Sequence, residues 1–480
     1  MPWYLALVST VARGREWVFH LSFWPFMILM LAGAYRLGRR FAPEQGPLWT
    51  MVWTAVAPGL MVAAHNVMPD LPLLGCYVLG TALTIDAFDW DKVGLAIGGG
   101  FFAGLSALCR YSGMTVIPLL VLYALLNRVR LHTAALAIVA AAAPITAWTV
   151  ASYQIYGRVH WIAMAGFEIQ KQTHGNQVGK MIYQLTCLGL VIGLAPLLAL
   201  MFSREPRKSL WVGAVVGVAG APALGLWPHW HRVLPVKAGP WLALGLAGAG
   251  LIGLLVIRGI FPPRKVWGRR RPEADTFFLV CWIVGILAFN HSLRFVSVRY
   301  VLLALVPTVL LSQRAFSSHP RTQNGWWFAT VISLVIAILL SVSDQQFAGL
   351  YRDYAATLPA ATQQRWFTGH WGLQYYFEKT GARPLSGSSP VQSGDEIVTS
   401  NTPWPQPVPM GITLEQVAVT EFHGTPGLRT VALDGGGCFY ANWVANGPSQ
   451  VRSAIVWLPF GISSEPIDVL TRWKVVSVTR

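Results

Sequence analysis

Apolar residues fill most of the first 343 positions, in long blocks separated by short polar segments. A helix needs about 20 apolar residues to cross the hydrocarbon of a bilayer, so each block predicts a membrane-spanning helix. Short blocks, and blocks that contain Pro or Gly, remain acceptable because neighbouring helices can shield them from lipid. Twelve spans are predicted, at residues 17–35, 48–67, 71–87, 93–109, 114–127, 131–150, 182–202, 209–227, 240–258, 276–290, 297–312 and 326–343.

The pattern changes after about residue 344, where the apolar blocks stop. A helical start near 350–380 is followed by β-type runs between Pro-, Gly- and Ser-rich turns. The runs lie at residues 396–399, 429–433, 453–458 and 473–476. The predicted fold class is an all-α polytopic membrane domain at 1–343, with about 12 transmembrane helices, and a small C-terminal α+β domain at 344–480.

The composition agrees with a membrane protein. Hydrophobic residues make up 54% of the chain and charged residues only 12%, against roughly a quarter charged in soluble domains. These values exclude a disordered chain, a coiled coil and a typical soluble enzyme. The net charge of +16 does not predict a nucleic-acid partner, because the basic residues are scattered between apolar blocks and form no single stripe.

The basic residues instead predict an orientation. Under the twelve-span count, Lys and Arg collect in every second loop, and the positive-inside rule places those loops in the cytoplasm. The loop at 86–92 is the weak case, since it holds three aspartates and only Lys92. The turns at Asp70 and Arg110, the loop 151–181 and the C-terminal domain are then extracytoplasmic, and the predicted location is the cell (inner) membrane.

No metal site is predicted. The five cysteines form no CxxC pair, and four of them lie in or beside apolar blocks, as small buried hydrophobes do. His229 and His231 are two residues apart, but no carboxylate is near them in sequence. No metal ligand is therefore named, and a divalent metal is left open as a cofactor.

Two charged residues lie alone at the outer ends of predicted spans. A carboxylate such as Asp70 between apolar helices is costly without a partner or ligand, although a solvated residue at a helix start explains it about as well. Arg110 could bind a lipid phosphate through its planar guanidinium, but on its own it is better explained as an interface anchor that extends its head group toward water.

Two further outer segments carry candidate chemistry. The loop after the sixth span mixes aromatic and polar residues, which suits sugar and phosphate binding and equally suits an interfacial loop. Its members are Tyr153, Tyr156, Arg158, His160, Trp161, Glu168, Lys171, His174 and Lys180. Arg294 and Arg299 open the eleventh span, where a helix N-terminus prefers an anion, so a phosphate partner is predicted there.

Three motifs resemble one family when taken together. Asp70-Leu71-Pro72-Leu73, the run from Gly104 to Leu120, and Arg299-Tyr300-Val301-Leu302-Leu303 up to Pro307 resemble, in order and spacing, segments of membrane glycosyltransferases with the GT-C fold. The most similar group is the dolichyl-phosphate-mannose–protein mannosyltransferase superfamily, including the bacterial aminoarabinose transferase of lipid A. The likeness covers about residues 1–315.

The resemblance implies a function and a set of site residues. Such enzymes move a sugar from a polyprenyl phosphate to an acceptor hydroxyl outside the cytoplasm. The expected partners are membrane lipid, the polyprenyl-phosphate sugar, and a glycan, lipid or protein acceptor. Asp70 is expected to be catalytic, whereas Arg110, Tyr111, Arg299 and Tyr300 are expected to bind the donor phosphate. The weaker candidates for acceptor or sugar binding are His65, Asn66, Lys171 and His174.

One departure from the family pattern keeps other functions open. Met1-Pro2-Trp3-Tyr4 resembles a stretch that in the family follows a first helix and an acidic loop, so the chain is expected to lack both. A transporter or flippase for a lipid-linked substrate, and an inactive relative acting as a scaffold, are the alternatives. The aromatic segment 365–376 could recognise an acceptor glycan, although a packed helix is the better expectation.

Overall fold

In the computed structural model, the residues described are 2–170, 177–202, 215, 219, 238–260, 270–315, 323–403, 405–434, 436–446 and 452–479. They form two compact units: the second consists of residues 238–240 and the residues from Leu339 onward, and the first consists of the rest. The first unit is helical, and the second contains the β-strands.

The helices, in chain order, are α1 (Pro2–Ala12), α2 (Glu16–Phe41), α3 (Pro47–Ala55), α4 (Pro58–His65), α5 (Asp70–Trp90), α6 (Val93–Cys109), α7 (Val116–Leu126), α8 (Leu131–Tyr156), α9 (His160–Gln170), α10 (Gln177–Cys187), α11 (Leu194–Phe202), α12 (Gly239–Ile260), α13 (Arg270–Ser292), α14 (Val298–Val301), α15 (Leu305–Ala315), α16 (Gln323–Thr357) and α17 (Gly372–Lys379).

The chain is a multi-pass membrane protein, although fewer spans are long than predicted. Among the described residues, seven helices are long and apolar enough to cross a bilayer, or eight if the bent pair α3–α4 is one span. The predicted spans at 93–109, 114–127 and 182–202 coincide with shorter apolar helices. The span at 209–227 lies almost entirely outside the described residues. The remaining eight correspond to the long helices and the bent pair.

A proline and the lengths of individual helices explain several differences from the predicted pattern. α3 and α4 meet at a bend of 59°, because Ala57 before Pro58 is extended, as residues preceding proline tend to be. The predicted outer loop 151–181 is mostly helical, since α8 continues to Tyr156 and α9 follows. Helix α1 was not predicted, because eleven residues fall short of a span.

Helices α5, α6 and α8 pack very closely. A Cβ on Gly80 of α5 would lie 2.3 Å from the backbone nitrogen of Ala103, and one on Gly104 would lie 2.2 Å from the carbonyl oxygen of Ala141. Small residues that let helix backbones approach are the usual packing device in membranes. This packing fixes the ends of α5 and α6 relative to each other.

The acidic loop at 86–92 is neutralised by arginines. Arg36 donates to Asp86 at 2.8 Å, Arg40 pairs with Asp89, and Arg130 pairs with Asp91. Arg40 also donates to the buried Asp275 at 2.8 Å. The aspartates thus belong to the same end of the helix bundle as the basic loops, which is why they do not contradict the predicted orientation.

The second unit contains strands β1 (Arg365–Phe367), β2 (Arg383–Pro384), β3 (Glu396–Ser400), β4 (Ile412–Phe422), β5 (Gly427–Arg429), β6 (Val431–Ala432), β7 (Gly437–Cys438), β8 (Trp443–Asn446), β9 (Arg452–Ile455), β10 (Gly461–Ser463) and β11 (Asp468–Val478). Five of them form a sheet in the order β2-β1-β3-β11-β4. β1 pairs in parallel with β2 and β3, whereas β11 runs antiparallel to β3 and β4.

The core of this unit forms around Trp366 of β1. Trp366 packs with Leu385, Val391, Ile397 and Val475. The predicted helical start at 350–380 is helical in part, because it holds the end of α16 and the short helix α17, with strand β1 between them. The runs predicted at 396–399, 429–433, 453–458 and 473–476 each overlap a strand. Buried Asp468 begins β11, which lies inside the sheet, and it accepts a hydrogen bond from the backbone nitrogen of Asn401 at 2.9 Å. Burial raises the pKa of its carboxyl.

Candidate functional site

Three separate chain segments meet at one end of the helical unit. Asp70 is the first residue of α5, Arg110 follows the last residue of α6, and Arg299 lies in the one-turn helix α14. Arg110 is extended, with φ −162° and ψ 141°, which ends α6 and turns its side chain away from the helix. Gly113 makes the turn compact, since a Cβ there would lie 2.5 Å from the Ser106 backbone.

Asp70 is enclosed by the two arginines. Its side chain is only 1% exposed. Arg110 Nη1 donates to Asp70 Oδ1 at 2.7 Å, and Arg299 Nε lies 3.4 Å from Asp70 Oδ2. That second pair is close but not hydrogen bonded, and both atoms are buried without a hydrogen-bond partner. Arg299 also contacts the Met68 sulfur.

The site carries a surplus of positive charge. Two guanidinium groups face one carboxylate, which leaves a net charge of about +1 among these three side chains at neutral pH. The Arg110 guanidinium also lies over the Tyr300 ring, 3.7 Å from its centroid, a cation–π contact that orients it. A buried surplus charge is costly unless an anion compensates it.

A cavity of about 510 Å³ opens beside this cluster. Arg110, Tyr111 and Tyr300 form part of its wall, and most of the remaining wall is apolar, with Trp161 and Phe295 among its members. The volume falls within the usual range for small-molecule sites. The cavity therefore combines a cationic group with mostly apolar walls.

Tyr111 heads a second polar group at the cavity. Its hydroxyl lies 2.5 Å from His160 Nδ1 and accepts a hydrogen bond from Trp148 Nε1 at 3.2 Å. The contact joins the end of α6 to the start of α9. Both Tyr111 and Trp161, which follows His160, line the cavity.

Sequence reasoning left two residues of this region without a role. His160 and Lys180 appear in the predicted outer loop only as members of a mixed polar set. Lys180 is buried and donates to the carbonyl oxygen of Leu293 at 2.6 Å, beside the cavity wall. The partners in these two contacts are 49 and 113 residues apart in the chain. Local sequence patterns do not record such long-range contacts, so the roles of His160 and Lys180 could not be predicted from them.

Two of the weaker predicted residues make hydrogen-bond contacts with the backbone of α4. His65 Nδ1 lies 2.6 Å from the Met61 carbonyl oxygen, and Asn66 donates to the Val62 carbonyl oxygen at 2.9 Å. Both contacts are within α4 and its end. Lys171 and His174 lie outside the described residues. The roles predicted for these four residues stay predictions.

The clustering of possible metal ligands can be stated for the described residues. Within the described parts of the chain, no group of three or more His, Cys, Asp or Glu side chains could hold a metal ion. The divalent metal left open by the sequence therefore stays a prediction.

The motifs at Asp70 and Gly104–Leu120 fall inside a recognised family segment. Residues 1–153 match the dolichyl-phosphate-mannose-protein mannosyltransferase family. The resemblance predicted from the sequence is thereby confirmed over this part of the chain. The mannosyltransferase match includes Asp70, Arg110 and Tyr111, whereas Arg299 and Tyr300 lie beyond it.

A solved structure shows partial similarity. It is the crystal structure of ArnT from Cupriavidus metallidurans bound to undecaprenyl phosphate, with 14% identity and a TM-score of 0.37, covering 83% of this chain and 82% of that chain. No curated protein matches the chain significantly.

Proposed function

We propose that the chain is an integral membrane glycosyltransferase that moves a sugar from a polyprenyl-phosphate donor to an acceptor hydroxyl on the extracytoplasmic face of the cell (inner) membrane. The observation that carries the proposal is the position of Arg110. It pairs with a buried carboxylate and also lines an apolar cavity. A lipid phosphate has the matching chemistry, an anionic head on an apolar chain.

Charge supports a phosphate at this place. During transfer, the bond between the sugar C1 and the phosphate oxygen breaks, and the bond between C1 and the acceptor oxygen forms. The bond electrons remain on the phosphate, whose negative charge grows, and the proton of the acceptor hydroxyl passes to the released phosphate or to water. Cationic groups fixed in a dry site stabilise such charge without having to reorganise. Arg110 and Arg299 are two such groups, and their guanidiniums suit phosphate oxygens.

We assign Asp70 a positioning role within this site. Oδ1 accepts from Arg110 and Oδ2 faces Arg299 Nε, so both oxygens are directed at the cations. A buried carboxylate between two guanidiniums holds them at a fixed separation and offsets part of their repulsion. The predicted role as catalytic base would require one oxygen to leave its arginine and reach the acceptor hydroxyl.

The test compares two Arg→Ala variants of the full chain in lipid nanodiscs. Arg110→Ala should weaken binding of a C55 polyprenyl phosphate about 10- to 100-fold, the usual loss of a charge-assisted hydrogen bond, and lower sugar transfer from a panel of polyprenyl-phosphate sugars. Arg130→Ala is the matched control, because Arg130 also pairs with an aspartate, Asp91, at the opposite end of α5.

Three outcomes would count against the enzyme. If both variants bound polyprenyl phosphate with equal affinity, Arg110 would not be a donor-binding residue. Binding without transfer to any acceptor would favour the inactive relative. Movement of the intact lipid-linked sugar across the bilayer, without transfer, would favour the flippase.

A further inference from the structure

The hydrogen bonds of Tyr111 indicate the direction of its contact with His160. A tryptophan Nε1–H can only donate, so the Tyr111 oxygen is the acceptor in the contact with Trp148. The Tyr111 hydroxyl has two partners among the described residues, Trp148 and His160. Among the described residues, the acceptor within reach of its own proton is Nδ1 of His160.

This direction assigns the tautomer of His160. If Tyr111 donates, Nδ1 of His160 accepts and carries no proton, so the proton of the neutral ring is on Nε2. The backbone N–H of His160 is held separately, 3.4 Å from Ser152 Oγ. Nε2 has no hydrogen-bond partner among the residues that the structure describes, and it is left as a free donor.

The helix places this donor near the cavity. His160 is the first residue of α9, and Trp161, Met164 and Ala165 of the same helix line the cavity. Residues four apart share a helix face, so His160 stands on the side of Met164. Its ring also touches Tyr111, which is a wall residue.

We propose that His160 binds the donor directly, by donating its Nε2 proton to an oxygen of the lipid phosphate, while Tyr111 and Trp148 fix the ring in the required tautomer. The inference rests on the proposed function. It revises the role of Tyr111, whose hydroxyl proton is already used and which becomes a positioning residue. No bond is made or broken and no proton is transferred in this step.

Two amide variants separate direct binding from a merely structural role. In His160→Asn, the amide occupies about the place of Nδ1, so the partner of Tyr111 is kept and the Nε2 donor is lost. In His160→Gln, the longer side chain brings an amide N–H to about the place of Nε2 and gives up the partner of Tyr111.

The measurement is the affinity of the full chain in nanodiscs for C55 polyprenyl phosphate, with C55 polyprenol as the uncharged reference. His160→Asn should bind the phosphate about tenfold more weakly, with unchanged polyprenol binding. His160→Gln should retain most of the affinity. The matched control is His132→Asn, because His132 lies beside Asp91 at the other end of the bundle.

The opposite order, with His160→Gln weak and His160→Asn normal, would mean that the ring only supports Tyr111, and the proposal would be wrong. An equal loss for polyprenyl phosphate and phosphatidic acid would mean that the site binds any lipid phosphate and not the donor. If Arg110→Ala loses affinity while both His160 variants keep it, the histidine proposal fails and the proposed function stands. If wild type does not prefer phosphate over polyprenol, the proposed function itself fails.

Discussion

At the scale of single residues, the decisive feature is the two-to-one ratio of arginines to carboxylates. Asp70 is 1% exposed and contacts guanidinium groups on both sides. Removing one partner of a buried ion pair is far more costly than losing a surface pair. The stability of the cluster therefore depends on the negative charge of Asp70, and a bound anion should be able to replace that charge.

Asp70→Asn should lower both stability and transfer. The substitution leaves two guanidiniums without a compensating carboxylate, and we expect a loss of about 3–5 kcal/mol in the free energy of unfolding. A bound phosphate would supply the missing charge, so polyprenyl phosphate should raise the unfolding temperature of the variant more than that of wild type. Thermal unfolding with and without the lipid measures both effects. If the lipid raised the unfolding temperatures of the variant and of wild type equally, Asp70 would not be part of the phosphate site.

The sequence predicted this cluster only in part. Asp70, Arg110 and Arg299 were predicted as site residues because each is a lone charge at the end of an apolar span. An ionisable group there is costly without a partner or a ligand. Their mutual contacts were implied by the family resemblance and not by spacing. The pairing of Tyr111 with His160 was missed, since each residue alone is an ordinary interfacial aromatic or polar group.

At the scale of elements, α6 is held by backbone contacts. Cβ atoms on Gly100 and Gly104 would lie 2.2 Å from the carbonyl oxygens of Ala137 and Ala141 in α8. These are backbone atoms that cannot rotate away, so an added methyl group must separate the helices. Because Arg110 directly follows α6, a shift of that helix reaches the site.

Gly104→Ala should therefore destabilise the protein and weaken donor binding together. Overpacking of this kind typically costs about 1–3 kcal/mol. Gly98→Ala, in the same helix, is the control, because a Cβ there meets nothing within 4 Å and alanine favours a helix by about 0.5–1 kcal/mol over glycine. Unfolding temperatures and polyprenyl-phosphate affinities of both variants provide the comparison. A destabilised Gly98→Ala with a normal Gly104→Ala would contradict the packing described.

The sequence predicted which segments form helices and strands better than it predicted where those helices and strands begin and end. Hydrophobic blocks predicted the helices, but a block does not reveal where a proline bends it, as at Pro58. It also does not reveal where a helix continues beyond the apolar residues, as α16 does to Thr357. In the second unit, β-type residues located the strands. The order β2-β1-β3-β11-β4 depends on pairings between distant segments, which residue type does not encode.

At the scale of the whole molecule, charge is sorted between the two ends of the helical unit. The arginines of the basic loops meet Asp86, Asp89, Asp91 and Asp275 at one end, and Asp70 with its two arginines occupies the other end of α5. The positive-inside rule counts basic residues and gives little weight to acidic ones. Pairing with aspartates therefore leaves the predicted orientation unchanged.

This orientation gives the last prediction. Three exposed positions report the two sides: Arg158 between α8 and α9, Ser388 in the second unit, and Glu44 after α2. In spheroplasts, a membrane-impermeant maleimide should label Arg158→Cys and Ser388→Cys, and should label Glu44→Cys only after the membrane is opened, with wild type as the background for the five native cysteines. Replacing Glu44 removes no basic residue, so the variant does not disturb the rule that it tests. Labelling of Glu44→Cys alone in closed spheroplasts would put the arginine cluster on the cytoplasmic side, and the acceptor would then have to be a cytoplasmic molecule.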